Sequence, residues 1–270
     1  MKEIIRKIGR IPKRIKEDII IISQLKNWRT FLWTKLKRKN IAAVVLKNGI
    51  TIESPPANDL NFLFHEIWVD KVYTPRSYKI KQGDIIIDIG GNIGMFAIFA
   101  VTRARNIKVY SFEPFPSNAM YFIKNTRDTR LSGIKLQEKA VAGTLGKRFL
   151  GISDSWGGHI LSSQKKDINQ SIEVETITLN EILTEIGRCN FLKIDCEGSE
   201  YEIFFSTAKD NLKKIQKIVG EYHDNAQGTG ADLKVFLENN SFRVDIFQKL
   251  DEISGIICAT NLDYDEKGIL

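Results

Sequence analysis

Residues 83–94 read Gly83-Asp84-Ile85-Ile86-Ile87-Asp88-Ile89-Gly90-Gly91-Asn92-Ile93-Gly94. An apolar strand ends in an acid, Asp88, and turns through glycines into a second apolar run, 95–104, that reads as a helix. A chain reversing directly from strand to helix needs residues without a Cβ, and a cofactor can approach backbone closely only there. The next strand, 107–112, ends in another acid, Glu113. That spacing suits a carboxylate gripping ribose hydroxyls one strand over.

The glycine spacing is not G-x-G-x-x-G. An acid beside the turn repels phosphate, whereas a dinucleotide fold seats a pyrophosphate at the helix N-terminus. The turn suits a cofactor with a cationic amine and a neutral ribose, which describes S-adenosylmethionine. Dinucleotide binding and a purely structural turn are the competing readings.

Working outward, strands at 85–89, 108–112, 134–137, 191–194 and 215–220 alternate with helical stretches at 95–105, 118–131, 180–186 and 200–208. That rhythm predicts a parallel sheet. A helix over 231–239 and two β-rich runs, 242–247 and 255–260, predict a closing hairpin, so the sheet is mixed with an antiparallel edge. Upstream, Lys47-Asn48-Gly49 marks a hairpin in 41–52, and 59–72 reads as a helix. The polar stretch 151–171, with Trp156 and His159 among glycines, reads as an acceptor-binding lid.

A chain of 270 residues holds one large α/β domain and an appendage. Residues 1–40 carry thirteen Lys/Arg against Glu3, Glu17 and Asp18, so they hold +10 of a net +7. Ile4, Ile8, Ile11, Ile15, Ile19, Ile22, Leu25, Trp28, Leu32 and Leu36 recur there at helical spacing, with Pro12 a break. Residues 1–40 are thus expected to be a basic amphipathic helical extension, and 41–270 the catalytic domain. The stripe suits packing on protein, including a second subunit in a homo-oligomer; an anionic membrane surface comes next and nucleic acid last. The longest apolar run in that segment is too short to span a bilayer, and no cleavable leader is visible. Cys189, Cys196 and Cys258 fit neither a disulfide framework nor a zinc site, which favours a reducing cytoplasm, with the inner membrane surface as the peripheral alternative.

A second constellation lies at Phe191-Leu192-Lys193-Ile194-Asp195-Cys196-Glu197-Gly198-Ser199-Glu200, a strand delivering acids to its C-terminal end. The following strand brings Glu221, Tyr222 and His223 to the same rim. With Gly83–Gly94, Ser111-Phe112-Glu113-Pro114, Glu138-Lys139-Ala140-Val141 and 176–183, these segments resemble, in family order, the FkbM family of S-adenosylmethionine-dependent methyltransferases. The resemblance implies a class I methyltransferase (Rossmann-like) α/β fold with a seven-stranded sheet, one strand antiparallel, and methyl transfer to a hydroxyl of a sugar, glycan or secondary metabolite. By it, Asp88, Gly90, Gly91 and Asn92 line the methionine end of the donor, Glu113 with Pro114 holds the ribose, and Glu138 and Ala140 flank the adenine.

The cofactor supplies the leaving-group chemistry, so the protein must place the acceptor oxygen and remove its proton. His223 is the first candidate base, with Glu221 to orient it and Asp195 or Glu197 as alternatives. Asp195, Glu197, Glu221 and one imidazole also suit a divalent ion, but an acid beside Lys193 reads first as an ion pair, and no metal is assigned. Cys196, flanked by carboxylates, is a poor nucleophile. A nucleic-acid methyltransferase and a silent membrane-recruited module are the rival functions.

Overall fold

The computed structural model describes residues 12–56, 58–75, 77–152, 161–162 and 171–264. The chain forms two compact units, Met1–Val72 and Tyr73–Leu270.

In the first unit, Pro12 directly precedes helix α1 (Lys13–Gln24), and α2 (Trp28–Lys37) follows after a short break. The hairpin signal at Asn48-Gly49 produces strands β1 (Ala43–Val45) and β2 (Thr51–Glu53), paired antiparallel. Asn27 ties this hairpin to the helices: its amide donates to the Ala43 carbonyl at 2.8 Å and accepts from the Val45 N–H at 2.9 Å. Asp59 caps α3 (Leu60–Phe64), accepting from Phe62 N–H, and the helix expected over 59–72 widens after one turn into a π-helical segment, His65–Asp70. Ile21, Leu25, Phe31, Phe64 and Trp68 are buried in this unit. Ile15, Ile19 and Ile22 lie on one face of α1 and are 49%, 53% and 38% exposed. The part of the sequence stripe before Pro12 lies outside the described residues.

The second unit runs β3 (Ile85–Ile89), α4 (Met95–Val101), β4 (Lys108–Phe112), α5 (Pro116–Thr126), β5 (Ile134–Gln137), β6 (Ala140–Val141), β7 (Gly146–Gly151), β8 (Leu161–Ser162), β9 (Ser171–Ile177), α6 (Leu179–Ile186), β10 (Phe191–Ile194), α7 (Glu200–Phe205), α8 (Lys209–Leu212), β11 (Lys217–His223), α9 (Gly230–Asn239), β12 (Phe242–Lys249) and β13 (Ser254–Asn261). Its main sheet, among the described residues, has seven strands in the order β12-β13-β11-β10-β3-β4-β5. Only β13 runs against the others. The fold is therefore the class I α/β arrangement, with the expected C-terminal antiparallel hairpin.

The near-continuous apolar runs of β3 and β10 follow from burial on both faces. Ile87, Ile89, Leu192, Ile194, Tyr201, Phe204, Ile218 and Ile257 belong to one core cluster. Chain order reverses between β3 and β10, because the chain builds outward through β4 and β5 and then returns to the other side of β3. A crevice at the C-terminal ends of strands opens at such a point.

The smaller sheet, β6-β9-β7-β8, was not expected from the sequence. Two of its strands are two residues long, too short to carry a period-2 signal. Most of the expected lid, including Trp156 and His159, lies outside the described residues. Among the described residues, no helix is long and apolar enough to cross a membrane.

Candidate active site

The glycine turn leaves β3 with Gly90 at φ 78°, Asn92 at 49° and Gly94 at 83°. Gly90 is irreplaceable on space as well as conformation: a Cβ there would sit 1.8 Å from the Asp195 carbonyl oxygen. The turn is tied to the neighbouring strand, since Gly90 and Gly91 N–H groups both donate to the Phe112 carbonyl. Glu113 closes it, with one carboxylate oxygen accepting from Asn92 N–H at 2.8 Å and the other from Phe115 N–H at 2.9 Å. Burial lifts the Glu113 carboxyl to about 7, against those backbone bonds and Lys193.

Behind the turn runs a polar row fixed by strand register. Ser111, Asp88 and Lys193 are direct neighbours on β4, β3 and β10. Ser111 Oγ donates to Asp88 Oδ2 at 2.9 Å, and Lys193 Nζ lies 3.4 Å from Asp88 Oδ1. All three are buried. Burial pushes the Asp88 carboxyl up, opposed by Lys193 and the Ser111 hydroxyl. Lys193 also donates to the carbonyl oxygens of Ile89 at 3.2 Å and Gly90 at 2.7 Å.

Beyond Lys193 the chain carries Asp195 and Glu197 past the end of β10. Tyr73 OH donates to Asp195 Oδ2 at 2.8 Å. His223, on β11, has Nδ1 3.2 Å from Glu200 Oε1 and Nε2 3.6 and 3.7 Å from Glu221 Oε1 and Glu197 Oε2. Burial pulls the His223 imidazole down, but the Glu200 hydrogen bond and the surrounding carboxylates outweigh it and push it up to about 9. Glu197 and Glu221 are each lifted to about 7, by burial first and Asp195 next. The carboxylates thus favour the protonated, cationic form of the His223 imidazole.

The structure brings Asp88, Gly90, Gly91, Asn92, Glu113 and Pro114 together at the turn, and Asp195, Glu197, Glu221 and His223 on the neighbouring strand ends. Glu138 is exposed just after β5, which borders β4. Ala140 sits in the smaller sheet, its methyl buried with Leu150 and Val174. Burial and Glu200 raise the Cys196 thiol well above its ordinary value, so it is no nucleophile. Tyr73, Ser111 and Glu200 were missed as site residues. Ser111 was legible, standing two residues before Glu113 as Asp88 stands two before Gly90; Tyr73 comes from a distant segment and carries no local signal.

The turn fits S-adenosylmethionine. An ionised carboxylate has about four acceptor positions, so Glu113 can bind a hydroxyl beyond the Asn92 and Phe115 N–H groups and the Asn118 side chain it already engages. Strand order and turn are those of a class I methyltransferase that takes its methyl from S-adenosylmethionine. The chain belongs to the FkbM methyltransferase family: the model of the methyltransferase FkbM domain matches residues 88–244, more than half of it. It is 26% identical over 230 residues to the 31-O-demethyl-FK506 methyltransferase FkbM of Streptomyces tacrolimicus, covering 74% of this chain and 88% of that one. A protein of Beauveria bassiana named Methyltransferase 1 is 25% identical, over 76% of this chain and 91% of its own. The hexuronic acid methyltransferase AglP of Haloferax volcanii is 24% identical over 155 residues, 54% of this chain and 58% of its own.

Proposed function

We propose that this enzyme methylates a hydroxyl oxygen of a sugar, glycan or secondary-metabolite acceptor. The observation that carries this reading is the cluster of Asp195, Glu197, Glu221 and His223 beside the glycine turn, a proton-accepting surface next to the place of the methyl donor. The names of the Streptomyces and Haloferax relatives, methyltransferases of 31-O-demethyl-FK506 and of a hexuronic acid, support oxygen as the acceptor atom.

The donor, when bound, supplies an electrophilic methyl on a sulfonium. Gly90, Gly91 and Asn92 would line its methionine end, with Asp88 behind the turn; Glu113 with Pro114 would take the ribose hydroxyls and Glu138 would flank the adenine side, where Ala140, its methyl buried with Leu150 and Val174, offers no side chain. The acceptor hydroxyl enters at the ends of β10 and β11. As its oxygen took the methyl and the S–C bond broke to leave a neutral thioether, its proton would pass to the carboxylates of the cluster, Glu197 or Glu221. His223 is tied through Nδ1 to Glu200, which fixes the ring, while Glu197 and Glu221 face its Nε2.

The test is transfer from methyl-labelled S-adenosylmethionine to a panel of uronic acids, neutral sugars and macrolide alcohols, with products resolved by mass spectrometry. A labelled methyl ether is expected. Label appearing only in RNA, DNA or an amine would overturn the reading.

A further inference from the structure

We propose that Asp195, Glu197 and His223 bind a divalent metal ion of the Mg2+ or Mn2+ kind at the C-terminal ends of β10 and β11. One oxygen from each acid and one ring nitrogen all lie within 4.8 Å of one another. Ligands held about 2.1 Å from one octahedral ion stand roughly 3 to 4.2 Å apart. The 3.7 Å between His223 Nε2 and Glu197 Oε2 falls in that interval.

The supporting groups are placed as metal sites require. Ligating histidines almost always give their second ring N–H to a carboxylate or carbonyl. Glu200 Oε1, 3.2 Å from Nδ1, is such an acceptor. That leaves Nε2 facing Glu197 and Glu221, and a positive charge belongs between these atoms; a metal ion and a proton compete for the same place. On the other side, Tyr73 engages Oδ2 of Asp195 and Lys193 Nζ lies 3.9 Å from the same atom, which leaves Oδ1 for a cation.

A second observation comes from behind the triad. Glu200 is fully buried; its Oε1 accepts from the Cys196 and Gly198 N–H groups at 3.2 Å each and faces His223 Nδ1, while its Oε2 has no hydrogen-bond partner among the described residues. Among the described residues its ion-pair partner is His223 alone. Four carboxylates, at 195, 197, 200 and 221, thus gather around one imidazole, while Lys193 spends its ammonium on Asp88 and the Gly90 carbonyl. Two carboxylates and one imidazole are a hard-to-borderline donor set, which selects Mg2+ or Mn2+ over thiophilic ions.

The use of the ion rests on the hydroxyl-methylating reading; its binding does not. An ion here has positions left for the acceptor's hydroxyl oxygen, which it would hold near the donor turn and make easier to deprotonate.

The experiment is titration of Mn2+ into the chelator-treated, dialysed full chain, followed by the loss of the free-ion electron paramagnetic resonance signal. One saturable ion per chain is expected, with affinity at least tenfold weaker in Glu197→Gln and in His223→Asn and unchanged in Glu252→Gln, an exposed acid elsewhere. Thermal melting without metal checks that the variants fold; Glu197 is only partly buried and tolerates an isosteric amide. Absence of saturable binding at millimolar Mn2+, or binding that both variants leave intact, overturns the site. Chelator should also abolish methylation while leaving S-adenosylmethionine affinity unchanged, and full activity in chelator overturns the catalytic use of the ion. Mn2+ bound at this triad in a protein that methylates no hydroxyl would support the site and refute the hydroxyl reading.

Discussion

Lys193 donates to the carbonyl oxygen of Gly90 at 2.7 Å, so an ammonium from one strand holds the donor turn that ends its neighbour. The same ammonium faces the buried carboxylate of Asp88 at 3.4 Å. Removing one partner of a buried pair strands the other charge, at a cost of roughly 3–5 kcal/mol. Lys193→Met should therefore lower unfolding stability by about that much, and adding Asp88→Asn should restore part of it. Urea denaturation measures both; equal stability of single and double variants would show that the pair does not couple.

Glu113 makes donor binding pH-dependent. Its carboxyl is lifted by burial from 4.5 to about 7, so the folded chain prefers the protonated form. The stability linked to this group is fully present below pH 4.5 and is lost as pH rises through about 7, a change of about 3 kcal/mol. Donor affinity should move the other way, rising through pH 7 as the carboxylate forms to accept the ribose hydroxyls. Glu113→Gln should flatten that profile and weaken S-adenosylmethionine binding by roughly 1.5–3 kcal/mol. Calorimetry between pH 5.5 and 8.5 decides; an unchanged profile in a folded variant removes Glu113 from the ribose site.

Gly90 and Gly83 separate conformation from space. Both have positive φ, 78° and 81°, but a Cβ at Gly83 meets nothing within 4 Å whereas one at Gly90 collides with the Asp195 carbonyl. Gly83→Ala should cost only the left-handed penalty, roughly 1–2 kcal/mol. Gly90→Ala should cost more and abolish donor binding. Melting curves and donor titrations on the two variants, if indistinguishable, would refute the close-approach argument.

The exposed stripe of α1 is the natural membrane-facing element if the basic extension meets lipid. Truncation at residue 39 is a poor test, because Asn27 and Leu25 brace the 43–53 hairpin. Replacing Ile15, Ile19 and Ile22 by serine leaves those contacts in place. We expect the wild-type chain to sediment with anionic vesicles and release as salt rises, and the triple variant to stay in solution. Equal partition of the two proteins would exclude this face as a lipid contact.

The sequence disclosed the parts of the site that are local. Apolar runs ending in Asp88, Glu113 and Asp195 declare parallel strands and aim their acids at one rim. Strand register was the hidden variable: only when β3 pairs with β10 do Asp88 and Lys193 become neighbours. Tyr73 reaches Asp195 from a segment 122 residues earlier, a contact without local periodicity. Alternation in Ser171–Ile177, with Glu173 and Glu175 outward and Val174 and Thr176 buried, was readable as a strand. Of the strands it joins, β6 is only two residues long, too short to announce itself. The π-helical turn after Phe64 followed from no residue preference we can name.

The strand order also sets a clock on synthesis. β3 takes β4 on one side almost as soon as both exist, but its other edge waits for Phe191–Ile194. Until that stretch leaves the ribosome, Asp88 faces an open edge without the ammonium that Lys193 will bring. Such long-range closure is slow, since chain entropy is surrendered before the contact is gained. A nascent chain shorter than this has a glycine turn but no braced donor site, so S-adenosylmethionine can stabilise the enzyme only after most of it has been made.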